Sequence, residues 1–387
     1  MIRYMTAGES HGKQLTIIIE GMPAGLALSA ADVNAELARR QEGFGRGARM
    51  KIEKDAVEFV GGVRLGETIG SPVCMVIKNY DWENWQTLMA SEYRALDDKS
   101  RQVRPRPGHA DLAAAIKYGR TDLRDILERA SARETAARVA AGAVCKTMLR
   151  ALGMTVGSFV TVIGGVVADT AAFASAGDMA RQAGASPVRT PDPVAEKKMV
   201  DAITAAEAKG DTLGGVFTVV AQGVPVGLGS HVQWDQKLDA RIAMALMSIQ
   251  AVKGVEFGLG FRFGYKNGSL VHDEIYHSSE KGYYRQTNNA GGFEGGITTG
   301  EDVLVSCVMK PIPSLKRPLK SVNLVTKKPD LAEAVRSDVC AVPAAGVIGE
   351  AAVACELARA MTEKFGGDSL AELKRNYTAY TAYVKQF

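Results

Sequence analysis

The sequence of 387 residues carries little net charge and few aromatic residues. Its 47 Lys and Arg residues stand against 43 Asp and Glu residues, which leaves a formal charge of +4 at pH 7. A protein whose main partner is a polyphosphate usually has a far larger basic excess. Aromatic residues make up only 6% of the chain, although proteins bind unpaired bases largely by stacking them on aromatic rings. Both shortages argue against nucleic acid as a partner.

Cysteine and long apolar segments are also scarce. No C-x-x-C pair and no metal-ligand spacing occurs among the five cysteines, which are Cys74, Cys145, Cys307, Cys340 and Cys355. We therefore expect reduced thiols and no metal site. No window approaches the roughly 18 apolar residues of a membrane span, and the amino terminus lacks the apolar core of a signal peptide. These absences predict a cytoplasmic protein without a membrane partner.

Helical and strand patterns are both present, but they do not alternate strictly. Helices are predicted over residues 30–41 with Ser29 as N-cap, 131–152 with a capping box from Ser131 to Glu134, 193–209, 236–252 and 343–365. Strands are predicted over 156–164, 215–221, 255–263 and 303–309. This mixture favours an α+β fold over a doubly wound sheet. Because no Pro/Gly/Ser-rich linker interrupts the chain, we predict a single domain over residues 1–387.

Two segments about 200 residues apart share a pattern. Residues 16–26 and 218–228 each read as a strand that ends in a Gly-x-Pro-x-Gly turn and is followed by a helix, and five of the eleven positions are identical. The chain is either built from two related halves or contains two independent units that use the same turn residues.

Two short motifs carry histidines. The first, Gly8-Glu9-Ser10-His11-Gly12, places an imidazole between glycines, where the backbone can approach a ligand and the ring can donate a proton near neutral pH. A turn with a surface histidine would look the same. In the second, residues 104–109, two prolines stiffen a segment that displays Arg106 and His109, as an anion-binding rod or a solvated connector.

Further cations lie in glycine-rich or turn segments. Arg46 lies among the glycines of residues 42–49, and Ser131 and Arg133 lie where a helix begins, a place that favours anions. Lys310 opens a proline-rich turn. Each has a plain structural alternative: a surface loop, a capping residue or a connector. The Gly-rich stretch 291–296 is neither a dinucleotide fingerprint nor a P-loop, so a dinucleotide-binding fold is not supported.

Taken together and in order, four motifs resemble the chorismate synthase family. They are residues 8–12, 104–111, 129–135 and 336–338, and the resemblance runs from about Arg3 to Phe365. It implies a layered sandwich of long central helices between antiparallel sheets, assembled as a homotetramer. It also implies a lyase of the shikimate pathway of aromatic amino acid biosynthesis, which converts 5-enolpyruvylshikimate 3-phosphate to chorismate by 1,4-elimination of phosphate and requires reduced FMN.

The resemblance also implies roles for individual residues. His11 would assist the phosphate leaving group, His109 would protonate or stabilise the reduced flavin, and Asp338 would help flavin N5 take the ring hydrogen. The anionic substrate would be held by Ser10, Arg40, Arg46, Arg106, Arg133 and Arg336. The FMN contacts would be Arg129, Ala130, Ser131, Gln250, Ala251, Gly295, Lys310, Pro311, Ile312, Pro313, Ser314 and Arg336. Arg40 and Arg46 would also contact NADPH, but only if the chain reduces its own flavin; otherwise an external flavin reductase is required.

The sequence departs from the family pattern at three positions, Ala130, Asn289 and Ser337, where many members have Ser, His and His. Two other interpretations compete with the resemblance. A flavin oxidoreductase would consume reductant stoichiometrically, and an anion-binding module, such as an RNA-binding protein, would use the cations of residues 39–51 and 101–109.

Overall fold

The structure is a computed structural model that describes residues 1–47, 55–95, 97, 100–333 and 338–387. Arg336, predicted to contact both substrate and FMN, lies outside the described residues, as does Ser337.

The first half of the chain forms a sheet and a long helix. Its elements are β1 (Arg3–Ala7), β2 (Gln14–Glu20), α1 (Ala30–Gln41), β3 (Val57–Gly61), β4 (Val63–Arg64), β5 (Glu67–Thr68), β6 (Val73–Lys78), α2 (Trp82–Trp85), α3 (Asp111–Tyr118), α4 (Arg124–Ala130) and α5 (Glu134–Arg150). The sheet has the antiparallel order β1-β2-β6-β3. Helix α1 begins as predicted, because Ser29 and Asp32 form a capping box at its start.

The second half repeats this plan. Its elements are β7 (Thr155–Ile163), β8 (Val166–Val167), α6 (Ala176–Ala183), α7 (Pro193–Ala208), β9 (Gly215–Gln222), α8 (Leu238–Met247), β10 (Val252–Phe257), β11 (Ile275–Ser278), β12 (Gly282–Arg285), β13 (Phe293–Glu294), β14 (Ile297–Thr298), β15 (Val303–Met309), β16 (Lys320–Val322), β17 (Pro329–Leu331), α9 (Val342–Phe365) and α10 (Leu370–Gln386). The large sheet has the order β10-β15-β9-β7-β8. Omitting β8, this order matches that of the first sheet when β7, β9, β10 and β15 are equated with β1, β2, β3 and β6.

The two Gly-x-Pro-x-Gly turns are held by equivalent hydrogen bonds. Thr68 Oγ1 donates to the carbonyl oxygen of Pro23 at 2.6 Å and accepts from the N–H of Leu26 at 3.0 Å. Thr298 Oγ1 makes the same two bonds, at 2.7 and 2.8 Å, to the proline and leucine of the second turn. Each threonine comes from the short hairpin of its own half, β4–β5 or β13–β14. Strand order and turn chemistry thus agree between the halves.

Helices α5 and α9 occupy the middle of the hydrophobic core. Helix α5 packs on β1 and β2, α9 packs on β7 and β9, and the two helices pack on each other. Both are rich in alanine and buried around almost their whole circumference, as expected for helices without a solvent face. No helix among the described residues is long and apolar enough to cross a membrane. The mixture of helices and antiparallel sheets confirms the predicted α+β class.

Three element predictions were wrong at their ends. The capping box from Ser131 to Glu134 does not form: Ser131 is the C-cap of α4, and α5 begins at Glu134, whose carboxylate accepts from Thr6 and Arg138 instead. The strand predicted over 255–263 ends at Phe257, because Gly258 and Gly260 adopt left-handed φ values of 54° and 51°.

The third concerns the helix predicted over 236–252. It spans only Leu238–Met247, with a 3₁₀ turn before it. Ala251, at φ 68°, cannot continue a right-handed helix. This early end places Gln250 and Ala251 in a connection to β10 rather than within the helix.

Candidate active site

His11 lies in the loop between β1 and β2 and rests on a carboxylate. Its Nδ1 is 2.9 Å from both oxygens of Glu128, and its backbone N–H donates to the same carboxylate at 2.8 Å. The ring stacks on Trp85 with centroids 3.7 Å apart. Because a carboxylate only accepts, Nδ1 carries the proton of this bond and Nε2 is the nitrogen able to exchange one.

Glu128 is buried, with 2% of its side chain exposed. Burial is the largest single influence on its pKa and acts to raise it, but the hydrogen bonds and charge of His11, followed by the charge of Arg124, together hold the pKa below its usual value. The side chain is therefore an anion at neutral pH. Nothing local in the sequence indicates this pairing, because 117 positions separate the two residues.

The junction between α4 and α5 brings other predicted residues beside His11 and Glu128. Together these residues form the first corner of the site. Ser131 Oγ donates to Ser10 Oγ at 3.1 Å, and the N–H of Ser10 donates to the backbone oxygen of Glu128 at 3.0 Å. Arg129 donates to the carbonyl oxygens of Gly8 and Thr6 at 3.0 and 2.9 Å. Ala130 ends α4 between these groups. The first motif and the α4–α5 junction therefore form one surface.

Two predicted substrate arginines share a single acid. Arg40 Nη1 is 3.3 Å and Arg133 Nη1 is 2.9 Å from the oxygens of Asp55, and all three side chains are buried. Arg40 Nε also donates to Thr135 Oγ1 at 3.0 Å. One carboxylate thus orients two guanidinium groups, which are side chains suited to bind an oxyanion. Asp55 had not been identified from the sequence.

His109 also rests on a carboxylate. It forms the second corner of the site together with Arg106, Asp111 and Ser314. Its Nδ1 is 2.5 Å from Asp111 Oδ1, and Arg106 Nε donates to Asp111 Oδ2 at 2.9 Å. Arg106 Nη1 donates to Ser314 Oγ at 2.9 Å. Burial is the largest influence on the pKa of Asp111 and acts to raise it, but the hydrogen bonds from His109 and Arg106 hold the pKa well below its usual range. Asp111 belongs to the motif of residues 104–111, but no role was predicted for it.

The proline-rich turn after β15 packs against this corner. Lys310 Nζ donates to the carbonyl oxygen of Gly108 at 2.5 Å, and Thr212 Oγ1 donates to that of Ile312 at 2.7 Å. A Cβ atom at Gly108 would lie 3.3 Å from Pro313 Cβ. Pro311 lies within the same turn. The segments 104–111 and 310–314, which the sequence separates by two hundred residues, thus form one wall.

Gln250 and Ala251 connect the two corners. Gln250 Nε2 donates at 3.2 Å to Glu134, whose other carboxylate oxygen lies 3.9 Å from Arg129, while the Lys310 N–H donates to the Ala251 carbonyl at 3.0 Å. The buried Oε1 of Gln250 has no hydrogen-bond partner among the described residues. A buried acceptor of this kind requires a donor, which a flavin ring N–H can supply. The left-handed Ala251 is the type of strained position found at ligand sites. These residues therefore fit a flavin.

Of the remaining predicted residues, Arg46 and Asp338 form a third corner of the site, and Gly295 lies in a hairpin turn. Arg46 Nη1 is 2.8 Å from Asp338 Oδ2, and the N–H of Gly47 donates to Asp338 Oδ1 at 2.6 Å. Gly295 lies in the turn between β13 and β14, where its φ is 61°. No contact between described residues joins His11 directly to His109. The structure thus groups most predicted residues into corners without bringing the two histidines together.

A separate cavity of about 290 Å³ lies beside α1 and α5, and its lining includes Glu36, Arg39, Lys146 and Arg150. None of the predicted site residues lines it. Arg39 and Lys146 are both already paired with Glu36 and Glu350 at 2.6–2.8 Å. These ion pairs satisfy the groups that would otherwise bind a ligand. Among the described residues, no group of three His, Cys, Asp or Glu side chains is arranged to hold a metal ion.

Comparisons with known proteins identify the family of the chain. The family model described as chorismate synthase matches residues 2–362. The chain belongs to the chorismate synthase family. Chorismate synthases from Geobacter sulfurreducens and Geobacillus thermodenitrificans are 57% and 54% identical to it, with all of each chain covered. A crystal structure of chorismate synthase, 44% identical, superposes with a TM-score of 0.81 and covers 100% of this chain and 99% of that one.

Family membership establishes the activity in general terms. The chain is a lyase that forms chorismate in the final step of the shikimate pathway, and chorismate synthases use a flavin cofactor. The resemblance inferred from four short motifs is thereby confirmed. The flavin oxidoreductase and the anion-binding module are not supported as alternatives.

Proposed function

We propose that the chain eliminates phosphate from 5-enolpyruvylshikimate 3-phosphate by a 1,4-elimination that requires reduced FMN. The observation that carries this proposal is the pair of histidines, each held through Nδ1 by a buried carboxylate, Glu128 or Asp111, beside the predicted anion-binding arginines. Such pairing leaves Nε2 of His11 as the nitrogen that can exchange a proton, whereas Nε2 of His109 lies 3.3 Å from Arg106 Nη2.

The substrate carries a phosphate and two carboxylates, and the arginines are suited to this charge. Arg40 and Arg133, on either side of Asp55, and Arg106, on Asp111, present guanidinium groups whose direction is fixed by their acids. Fixed guanidinium groups bind oxyanions at a lower entropic cost than mobile ones. We propose that they hold the three anionic groups together with Ser10, Arg46 and Arg336.

Phosphate is a poor leaving group, so its departure requires charge neutralisation. His11 would donate a proton or hydrogen bond from Nε2 to the departing phosphate, and the neighbouring arginines would offset its growing charge. The bound FMN supplies transient electron density to the allylic system. His109 would act beside the flavin, and Asp338, held by Arg46 and the Gly47 N–H, would act near the ring hydrogen.

The FMN would lie between the two histidine corners. Gln250 Oε1 would accept from a ring N–H, and the turn from Lys310 to Ser314 would contact the cofactor with Arg129, Ala130, Ser131, Ala251, Gly295 and Arg336. We propose NADPH as a ligand of Arg40 and Arg46 only if the chain reduces its own flavin; an external flavin reductase would serve otherwise.

The larger organisation is also proposed. The matching strand orders and turn bonds support two pseudo-repeated halves, arranged as a layered sandwich with α5 and α9 between the sheets in a single domain over residues 1–387. We further propose a cytoplasmic homotetramer.

The decisive experiment measures phosphate release under anaerobic conditions. With 5-enolpyruvylshikimate 3-phosphate and chemically reduced FMN, we expect one phosphate and one chorismate per turnover, with no net consumption of reductant. No release would refute the proposal, and stoichiometric loss of reductant would favour an oxidoreductase. A second assay with oxidised FMN and NADPH tests intrinsic flavin reduction: activity there would support it, and inactivity would indicate an external reductase.

A further inference from the structure

The environment of His11 points to a residue whose role goes beyond the proposed site. We propose that Glu128 is a positioning residue that accepts the Nδ1–H of His11 and so aims Nε2 of the ring at the substrate. This inference rests on the proposed function, because it takes His11 as the proton donor.

The geometry leaves the imidazole little freedom. Both carboxylate oxygens of Glu128 lie 2.9 Å from Nδ1, and one of them also accepts the backbone N–H of His11 at 2.8 Å. Glu128 therefore fixes both the ring and the main chain that carries it. Trp85 covers one face of the ring at 3.7 Å. The stack holds the plane of the ring, and the bond to Glu128 selects which ring nitrogen faces the acid.

The charged groups that face His11 come from two elements. Glu128 and Arg124 both come from α4: the carboxylate contacts the imidazole directly, whereas Arg124 Nη1 reaches Glu128 at 3.4 Å and its guanidinium lies over the Trp85 ring. Glu9 belongs to the loop of His11 and faces Gly12. The nearest charge to the ring is thus a buried anion, so the Glu128 carboxylate is the group that can orient the imidazole.

The backbone of Glu128 anchors the loop that carries His11, independently of the Glu128 carboxylate. Its backbone oxygen accepts the N–H of Ser10 at 3.0 Å, and that bond survives any change of side chain. Glu128→Gln keeps the length of the side chain and one carbonyl acceptor but removes the negative charge. This variant therefore tests the charge and leaves the loop attached to α4.

We expect Glu128→Gln to lower kcat about 100-fold, as the loss of a general acid does, with a smaller change in KM. The split between kcat and KM is the decisive result, because a merely structural loss would weaken substrate binding as well. The matched control is Asp125→Asn, an exposed carboxylate on the same helix that pairs with Arg120; it should leave both kcat and KM unchanged. Thermal unfolding of both variants checks that they fold.

A double-mutant comparison shows whether Glu128 acts through His11. In a His11→Ala background, Glu128→Gln should cost less than about 2-fold more, since two residues that act as one unit are not additive. Full additivity, or an equal effect of Glu128→Gln on kcat and KM, would overturn the proposal. Should the Gln variant not fold, Glu128→Asp keeps the charge but retracts it; we expect a lower kcat with a smaller change in KM, and unreduced kcat would count against a positioning role.

Failure of the proposed function is distinguishable from failure of this inference. If the wild-type chain releases no phosphate with reduced FMN, the proposed function fails. If it does release phosphate and His11→Ala keeps wild-type turnover, His11 is not the donor and the inference about Glu128 fails, while the elimination stands. If His11→Ala is impaired while Glu128→Gln behaves like the wild type, only the role of Glu128 is refuted.

Discussion

At the scale of single residues, carboxylates orient the histidines and arginines of the proposed site. His11, His109, Arg106, Arg40 and Arg133 were all identified from sequence motifs. The acids that orient them were not, because Glu128 and Asp55 are distant from their partners along the chain or lie outside the motifs. Asp111 is the exception: its spacing of two from His109 and five from Arg106 could have indicated it.

Asp111 offers a test of this arrangement. Asp111→Asn removes the charge that faces both His109 and Arg106, so both side chains should lose their fixed direction. We expect kcat to fall about 100-fold or more and FMN affinity to weaken, because Arg106 also contacts Ser314 of the proposed flavin turn. Turnover and FMN fluorescence titration measure the two effects. Asp122→Asn, which replaces a carboxylate that accepts only backbone N–H groups among the bonds described, serves as a comparison; equal losses in both variants would contradict a specific role.

His109 and His11 should be separable in the same assays. Either histidine replaced by alanine should lower turnover about 100-fold or more, because each change removes a proton donor. FMN binding should be largely kept, since neither ring is proposed to provide most of the flavin contacts. Anaerobic turnover with reduced FMN and a flavin titration give the two values, and unchanged turnover in either variant would reject its assignment.

At the scale of elements, local signals predicted three helices closely and the other helices and the connections poorly. Helices α1, α7 and α9 begin and end within a residue of their predicted limits, because caps, prolines and glycines mark their ends. The capping box at Ser131 failed because tertiary partners, Thr6 and Arg138, compete for the Glu134 carboxylate. The early end of α8 at Met247 had no local signal, since residues 248–253 contain neither glycine nor proline.

The contact between α5 and α9 gives a prediction at this scale. A Cβ atom at Gly142 would lie 2.3 Å from Ala351 Cβ, so the helices approach as closely as a glycine permits. We expect Gly142→Ala to lower the free energy of unfolding by about 1–3 kcal/mol, the usual cost of overpacking a core, despite the better helix propensity of alanine. Denaturant unfolding measures it. Gly264→Ala, at a position with no atom within 4 Å, should change stability little; an unchanged Gly142→Ala would mean that the helices can separate at no cost.

At the scale of the whole molecule, the site draws on both halves and on segments from residue 10 to residue 338. The order of the motifs identified the family. No sequence pattern indicates which of these segments come into contact, because the packing of α5, α9 and the sheets determines those contacts. The same packing buries an ion cluster. Glu350 on α9 contacts Lys146 on α5, Arg39 on α1 and Arg189, and it also accepts from Ser158 on β7.

This cluster should make stability depend on pH. Burial is the largest influence on the pKa of Glu350 and acts to raise it, but Lys146, Arg39 and Arg189 lower the pKa from 4.5 to about 2. Because the folded-state pKa is depressed, the contribution is complete above the unfolded pKa and is lost as pH falls through the folded one. Since one unit of pKa corresponds to about 1.4 kcal/mol, about 3 kcal/mol should disappear between pH 5 and pH 2.

Glu350→Gln isolates that contribution. At pH 7 it should lower the free energy of unfolding by about 3–5 kcal/mol, because it leaves two buried cations, Lys146 and Arg189, and the partly exposed Arg39 without their common acid. Between pH 5 and pH 2 its stability should fall less steeply than that of the wild type. Glu363→Gln is the matched control on the same helix: its carboxylate is one-third exposed, so a loss below about 1 kcal/mol is expected. Denaturant unfolding at several pH values measures all three proteins. Equal slopes for Glu350→Gln and the wild type would show that other groups control acid unfolding.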